Sequence, residues 1–356
     1  MSFKFIDLFA GIGGTRQAFE AFGGKCIFSS EIDEFACKTY FENFNEIPAG
    51  DITKINLDEI PKHDVLIAGF PCQPFSLAGV SKRNSLGRPH GLDCEDKDNL
   101  FYKIIEILKK KEPKAFFLEN VKHLYFHDKG QTYQIIKKQL NDAGYDVCEK
   151  IIDASFVVPQ HRERIYIVGF KKELKIKFTF PTFSDSNPQL RKILESKVEE
   201  KYTLSDKLWT YLQSYKQKQK DKGNGFGYGM ANLDGITRTL SSRYYKDGAE
   251  ILIPQNNKNP RRLTPRECAR IMGFSDNFKM PVSDHQAYRQ LGNSVVVPIV
   301  KKIAGRMIIY LYKNDPLVIP VLPLIKLQKS SKNSLNGAEI TTMISLGERP
   351  LILANR

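Results

Sequence analysis

Cys72 stands in the run Gly69-Phe70-Pro71-Cys72-Gln73-Pro74-Phe75-Ser76, directly after the apolar stretch Val65–Ala68. A lone cysteine is ordinarily a small buried apolar residue. Flanked by prolines just past a strand, where open α/β sheets bind their ligands, this one is badly placed for packing and well placed as a nucleophile. Glu119 follows an apolar run in Phe117-Leu118-Glu119-Asn120-Val121, so desolvation is expected to raise its pKa and keep a proton available. Arg162 and Arg164 lie in Pro159-Gln160-His161-Arg162-Glu163-Arg164, ahead of the strand Ile165–Gly169. A thiol, a carboxyl and a guanidinium can thus converge at one sheet edge. A thiol hydrolase would need a general-base histidine. His161 sits in an Arg-rich turn, and no Cys/His/Asn set is evident. His123 and His127 are four apart but bring no third ligand, and the cysteines form no C-x-x-C pair, so neither a metal site nor a disulfide framework is expected.

A second group of residues points to a small-molecule ligand. The first apolar run ends in Asp7-Leu8-Phe9-Ala10-Gly11-Ile12-Gly13-Gly14 and leads into a helix, a turn in which glycines let the backbone approach a ligand closely. The nicotinamide fingerprint G-x-G-x-x-G fails, because Arg16 takes its third position. Glu31 ends the next strand, where a carboxylate can bind both ribose hydroxyls of an adenosine. Asp51, in Gly50-Asp51-Ile52-Thr53, is expected to end a third strand region and to meet an adenine amino group. Two carboxylates near strand ends favour an adenosine without phosphates, and S-adenosylmethionine (SAM) fits that better than a dinucleotide.

These residues need a scaffold that gathers strand ends. Phe3–Phe9, Lys25–Ser30, Val65–Ala68, Ala115–Leu118 and Arg164–Phe170 read as strands, with helical periodicity over Asp33–Phe44, Asn99–Lys111 and Gln131–Ala143. Such alternation predicts an α/β fold, with a mostly parallel sheet covered on both faces. From about 176 to 262 Gly, Asn, Tyr and Lys become frequent and helical periodicity weakens after Gln219, as in a smaller loop-rich domain. Residues 201–262 hold 12 basic and 5 acidic side chains, a net of +7 against +14 for the whole chain. A balance this basic favours a polyanionic partner. Thr264-Pro265-Arg266-Glu267 then reads as N-cap, N1 and N3 of a helix that Gly273 stops. The expected organisation is a catalytic domain over 1–175, completed by 263–312, a recognition domain over 176–262, and a tail over 313–356 without an assigned role. No apolar run approaches the roughly 20 residues that span a bilayer. A strand beginning at Phe3 leaves no room for a leader, and a reducing cytoplasm suits the cysteines.

In its motifs and their order the sequence resembles the DNA cytosine-5 methyltransferase family over roughly residues 1–312. Phe9-Ala10-Gly11-Ile12-Gly13-Gly14 is similar to the family's SAM loop, and Gly69-Phe70-Pro71-Cys72-Gln73 to its nucleophile loop. Glu119-Asn120-Val121 and Gln160-His161-Arg162-Glu163-Arg164 resemble its other catalytic segments. Arg262-Leu263-Thr264-Pro265-Arg266-Glu267-Cys268-Ala269-Arg270 and Gln290-Leu291-Gly292-Asn293-Ser294-Val295 resemble its closing motifs. The resemblance implies a Rossmann-like SAM-dependent methyltransferase fold with a smaller target-recognition domain. It implies that Cys72 attacks carbon 6 of a cytosine, with Glu119 at ring N3 and Arg164 at O2, Arg162 nearby. The base must leave the duplex to be reached, and Gln73 is a candidate to contact the opened helix. SAM is expected against Phe9, among Ala10, Gly11, Gly13 and Gly14, with Glu31 at the ribose. Ile32 stands where many relatives carry an aromatic against the adenine, with Asp51 and Ile52 beside it. Pro71, Leu100, Asn293, Ser294 and Val295 are expected to complete the pocket, Asn293 near the methionine end. Leu100 falls in Asp98-Asn99-Leu100-Phe101, where a Thr-Leu pair is commoner, and Ala78–Asp98 is long for the family's active-site loop.

The segments 222–230 and 237–253 resemble the recognition region of enzymes that methylate the inner cytosine of CCWGG, or of CCNGG. Arg is the preferred bidentate reader of guanine, which makes Arg238 and Arg243 candidate readers and Tyr244 and Tyr245 their supports or sugar contacts. Double-stranded DNA is the expected partner, with a cognate restriction endonuclease acting separately, and a bacterial-type cytoplasm with nucleoid association the expected location. An RNA cytosine-5 methyltransferase of the same fold and a non-catalytic DNA-binding regulator are the rival readings. The basic, Gly-rich insert argues against the first, and joint retention of Cys72, Glu119 and Arg164 against the second.

Overall fold

The computed structural model describes residues 3–71, 100–184 and 186–312, together with two short strands at Lys326–Gln328 and Met343–Ser345. Strands β1 (Lys4–Leu8), β2 (Lys25–Ser30), β3 (Val65–Ala68), β4 (Ala115–Val121), β5 (Tyr145–Asp153) and β6 (Glu163–Lys171) form one six-stranded sheet in the order β2-β1-β3-β4-β6-β5. The first four run parallel, and β6 is antiparallel to both of its neighbours. Successive side chains of the central strands go to opposite faces and both faces are covered, hence the unbroken apolar runs. Phe5, Ile67, Phe117 and Val168 face one side with α1 (Gly14–Glu20) and α9 (Val297–Tyr312). Ile6, Leu66, Phe116 and Ile167 face the other, against α3 (Leu100–Lys111) and α5 (Gln131–Asp142). The chain passes from β1 out to β2 and then back past β1 to β3, and a crevice opens between the strand ends at such a switch point.

The strands and helices read from the sequence recur with small shifts, β4 running to Val121 with Glu119 inside it, and two features differ. Residues 46–50 form no strand, so Asp51 does not end one. It lies in a loop pinned to β2 by Ala49 N to Ser29 O and Ser30 Oγ to Gly50 O, at 2.8 and 2.6 Å. The nine-residue β5 went unrecognised: as a sheet-edge strand it is mostly half-buried and interleaves Glu149 and Lys150 with apolar residues. α2 (Glu34–Phe44) starts as expected, with Asp33 accepting from Ala36 N at 3.0 Å. The short α4 (His123–Phe126) lies between β4 and α5.

Residues 176–262 are less bare of helix than their composition suggests, for α6 (Asp206–Asp221) spans 16 of them. It packs Leu212 with Leu204 and Leu252 beside the hairpin β7 (Leu252–Gln255) and β8 (Lys258–Arg262). Leu240, Tyr244, Ile251 and Ile253 join this region to the large core. α7 (Pro265–Ile271) starts with the complete capping box, and Glu267, fully buried, also takes two bonds from Arg261 at 2.7 and 2.9 Å. α8 (Asp284–Asn293) and α9 bring the chain back to the sheet. Among the described residues no helix is long and apolar enough to cross a membrane.

Candidate active site

A cavity of about 620 Å³ lies at the carboxyl ends of β1 to β4, closed on one side by the end of α8 and the residues after it. That volume is typical of small-molecule and cofactor sites. The turn after β1 builds its first wall. Phe9 adopts φ 56°, a left-handed conformation costly outside glycine, and Ala10 N is anchored to Ser30 O at 2.9 Å. Phe9, Ala10, Gly11 and Gly14 line the cavity. Gly13 does not. It caps α1 with φ 82°, and a Cβ there would stand 2.1 Å from the Phe44 ring, so its need for glycine is steric and lies behind the wall. Arg16, which breaks the nicotinamide fingerprint, is buried in a network with Glu20, Tyr40 and Glu46.

Glu31 lies at the end of β2 with both carboxylate oxygens oriented by backbone. Oε2 accepts from Gly11 N, and Oε1 from Ile32 N and Asp33 N, each at 2.8 Å. Oε2 keeps acceptor capacity for a ligand hydroxyl. Asp51 is fixed by its own turn, accepting from Thr53 Oγ1 at 2.7 Å and Thr53 N at 3.0 Å, and these bonds hold its carboxyl below the usual range. Ile32 is 71% exposed at the cavity edge, while Ile52 is buried beneath it. Two carboxylates beside an apolar surface suit the hydroxyls, amino group and flat ring of an adenosine, and disfavour phosphate. The residues present therefore fit SAM. Pro71, Leu100, Asn293, Ser294 and Val295 line the same cavity.

Glu119 projects from β4 into the opposite part of the cavity. Register explains its partner: Glu119 pairs with Tyr166 and Val121 with Arg164, so Glu119 and Arg164 are diagonal neighbours on one face. Arg164 Nε lies 3.2 Å from Glu119 Oε1. Burial raises the Glu119 pKa, opposed by Arg164 and, more weakly, Arg162. Asn120, buried and unremarked at first reading beyond its motif, donates Nδ2 to Phe70 O at 3.1 Å and so ties β4 to the loop leading to Cys72. Cys72 and Gln73 lie outside the described residues, as does all of Ala78–Asp98. Pro71, the last described residue before Cys72, borders the cavity.

Two expected contacts are placed otherwise. Arg162 borders the cavity, but the residue is only 2% exposed and its guanidinium donates to Leu240 O, Gly292 O and Ser294 O at 2.9, 2.9 and 2.7 Å. It is a clasp joining three segments, and its part near the reacting groups is its charge. Tyr244 is fully buried against Tyr288, donates to Ile251 O at 2.7 Å and accepts from Leu263 N at 2.8 Å. A side chain so enclosed cannot pack on a sugar. Arg238 and Arg243 are exposed, and Tyr245 is half-buried with its ring 4.0 Å from that of His285. His161 pairs with Asp153 at 2.7 Å, His127 bonds Thr132, and no metal-binding cluster occurs among the described residues.

Among other cavity residues, sequence reasoning missed Arg289 and named Gln290 only within its motif. Arg289 on α8 pairs with Asp33 at 3.2 Å, and Gln290 accepts from Thr39 Oγ1 at 2.9 Å. Helical spacing from Asn293 was the signal available for both. Gln160, fully buried, accepts from Leu240 N at 2.8 Å and so docks the basic region onto β6's approach.

The model of the C-5 cytosine-specific DNA methylase family matches residues 3–309. The chain is 48% identical to a DNA-cytosine methyltransferase of Escherichia coli K12 over 362 aligned positions, covering 85% of this chain and 77% of the relative. It is 51% identical to the type II methyltransferase M1.ScrFI of Lactococcus lactis subsp. cremoris, over 88% and 79% of the two chains. Among solved structures, a methyltransferase of Entamoeba histolytica superposes with a TM-score of 0.68 at 22% identity, covering 88% of this chain and 99% of that one, a likeness of fold.

Proposed function

The chain belongs to the C-5 cytosine-specific DNA methylase family, and from that premise we propose that it transfers a methyl group from SAM to carbon 5 of the inner cytosine in CCWGG or CCNGG. The observation that carries this reading is one cavity shared by two sets of groups: Glu119, largely shielded from solvent and paired with Arg164, and the backbone-oriented Glu31 with Asp51.

Cytosine carbon 5 is a poor nucleophile. SAM, when bound against Phe9 with Glu31 at its ribose and Asp51 at its adenine, supplies an electrophilic methyl group. The protein's own residues activate the acceptor. The Cys72 thiolate adds to carbon 6 while Glu119, protonated, donates to N3. Electron density then reaches carbon 5 as an enamine of the base. Arg164 holds O2 and keeps the ring oriented. After methylation, loss of the carbon 5 proton expels Cys72 and restores aromaticity. The target atom is shut inside a duplex, so the base enters the cavity flipped out, with Gln73 at the opened helix. Residues 176–262 read the site, Arg238 and Arg243 among the readers, while 1–175 and 263–312 hold cofactor and base. The role is DNA marking beside a separately acting restriction endonuclease, in the cytoplasm at the nucleoid.

Tritium transfer from labelled SAM tests this with duplex DNA carrying the CC…GG frame and with tRNA. Label on the duplex alone is expected. Label on tRNA alone would move the activity to RNA.

A further inference from the structure

Phe226 is the most exposed aromatic among the described residues, at 67%. Water is a poor place for such a ring, yet the loop carrying it is braced to keep it there. The Tyr228 ring meets Trp209 at 4.8 Å and Lys216 Nζ at 4.2 Å, both from α6. Gly227 has φ 148°, and a Cβ there would stand 2.7 Å from Lys216 Cγ, so the loop backbone lies directly on the helix. Gly229 N donates to Ala249 O at 2.7 Å and Gly229 O accepts from Leu252 N at 2.8 Å.

The tip is also bonded to the catalytic arm. Arg238 Nη1 donates to Gly227 O at 3.1 Å. On either side of Arg238, Thr237 N donates to Pro159 O at 2.9 Å and Thr239 Oγ1 to His161 O at 2.5 Å. That segment runs straight into Arg162 and Arg164 on the cavity wall. An apolar ring thus projects within a region of net charge +7. Cations bring phosphates near but carry no sequence information, whereas an apolar ring can meet base edges and thymine methyl groups in the groove.

We propose that Phe226 is a base-contacting, specificity-determining residue, an aromatic probe that the recognition region presses against its DNA site. This rests on the DNA-methylating reading above. The test titrates the parent, Phe226→Ala and Phe226→Leu with duplexes carrying CCAGG, CCGGG or neither frame. The parent favours a framed duplex. Phe226→Ala weakens binding to that duplex by about tenfold, as loss of one base-edge contact does, and leaves the unframed duplex, SAM affinity and melting temperature unchanged. Phe226→Leu, which keeps apolar bulk in the loop, loses part of the preference. Equal weakening on both duplexes, or a preference kept in full by Phe226→Ala, overturns the assignment alone. A parent that favours neither framed duplex overturns the reading beneath it.

Discussion

Glu119 is held between opposing influences: burial raises its pKa, while Arg164 at 3.2 Å and Arg162 lower it. The net direction is upward, so the carboxyl keeps its proton to higher pH than a solvated glutamate. Glu119→Gln keeps the shape without a proton to give, and is expected to slow single-turnover methyl transfer by at least about a hundredfold, with SAM affinity unchanged by calorimetry. A parental rate in that variant would remove Glu119 from the chemistry. Asp7, behind the cofactor wall, is fully buried and accepts from Thr15 Oγ1 at 2.8 Å. Desolvation, opposed by Thr15 and Arg16, raises its pKa from 3.8 to about 7. Across that window the folded protein holds a proton that the unfolded chain has released. This contribution to stability is therefore complete below 3.8 and lost as pH rises to about 7. At about 1.4 kcal/mol per unit the loss is about 4 kcal/mol. Urea unfolding should show Asp7→Asn gaining on the parent between pH 5 and 8, and a constant difference would refute this. The burial of Glu119 was readable from its apolar run. That of Arg162 and Tyr244 was not, because their partners are carbonyls and amides up to 132 residues away.

At the scale of elements, β4 and β6 do the positioning through a register that sets Arg164 diagonal to Glu119. The unbroken apolar runs of the central strands and the cap at Thr264 were legible because they are local, each following from a few neighbouring residues. β5 was not, since an edge strand buries too little to impose a pattern, and Asp51 was taken for a strand end although only a turn holds it. Tyr244 links these elements: its hydroxyl joins Ile251 to Leu263, where the basic region meets the large core. Tyr244→Phe leaves the buried Leu263 N without that acceptor and is expected to cost about 1–3 kcal/mol in urea unfolding. DNA affinity should stay the same. A loss of affinity at parental stability would return Tyr244 to the DNA surface.

For the whole molecule, charge and shape divide the work. On the proposed function, the net +7 of residues 201–262 attracts DNA and the neighbouring cavity houses the reaction. Log affinity should fall with log salt by about 0.9 for each phosphate engaged, and alanine at both Arg243 and Lys246 should flatten the slope by about 1–2. Anisotropy titrations between about 50 and 200 mM salt measure this, and a flat parental slope would place DNA elsewhere. Bisulfite sequencing reads Cys72, the cavity and the CC…GG frame together. DNA is taken from a host without cytosine methylation of its own, expressing either the parent or Cys72→Ser. Expected is 5-methylcytosine at the second cytosine of CCWGG or CCNGG with the parent and none with the variant. Unmethylated DNA from cells making the folded parent, or equal methylation from Cys72→Ser, would contradict it.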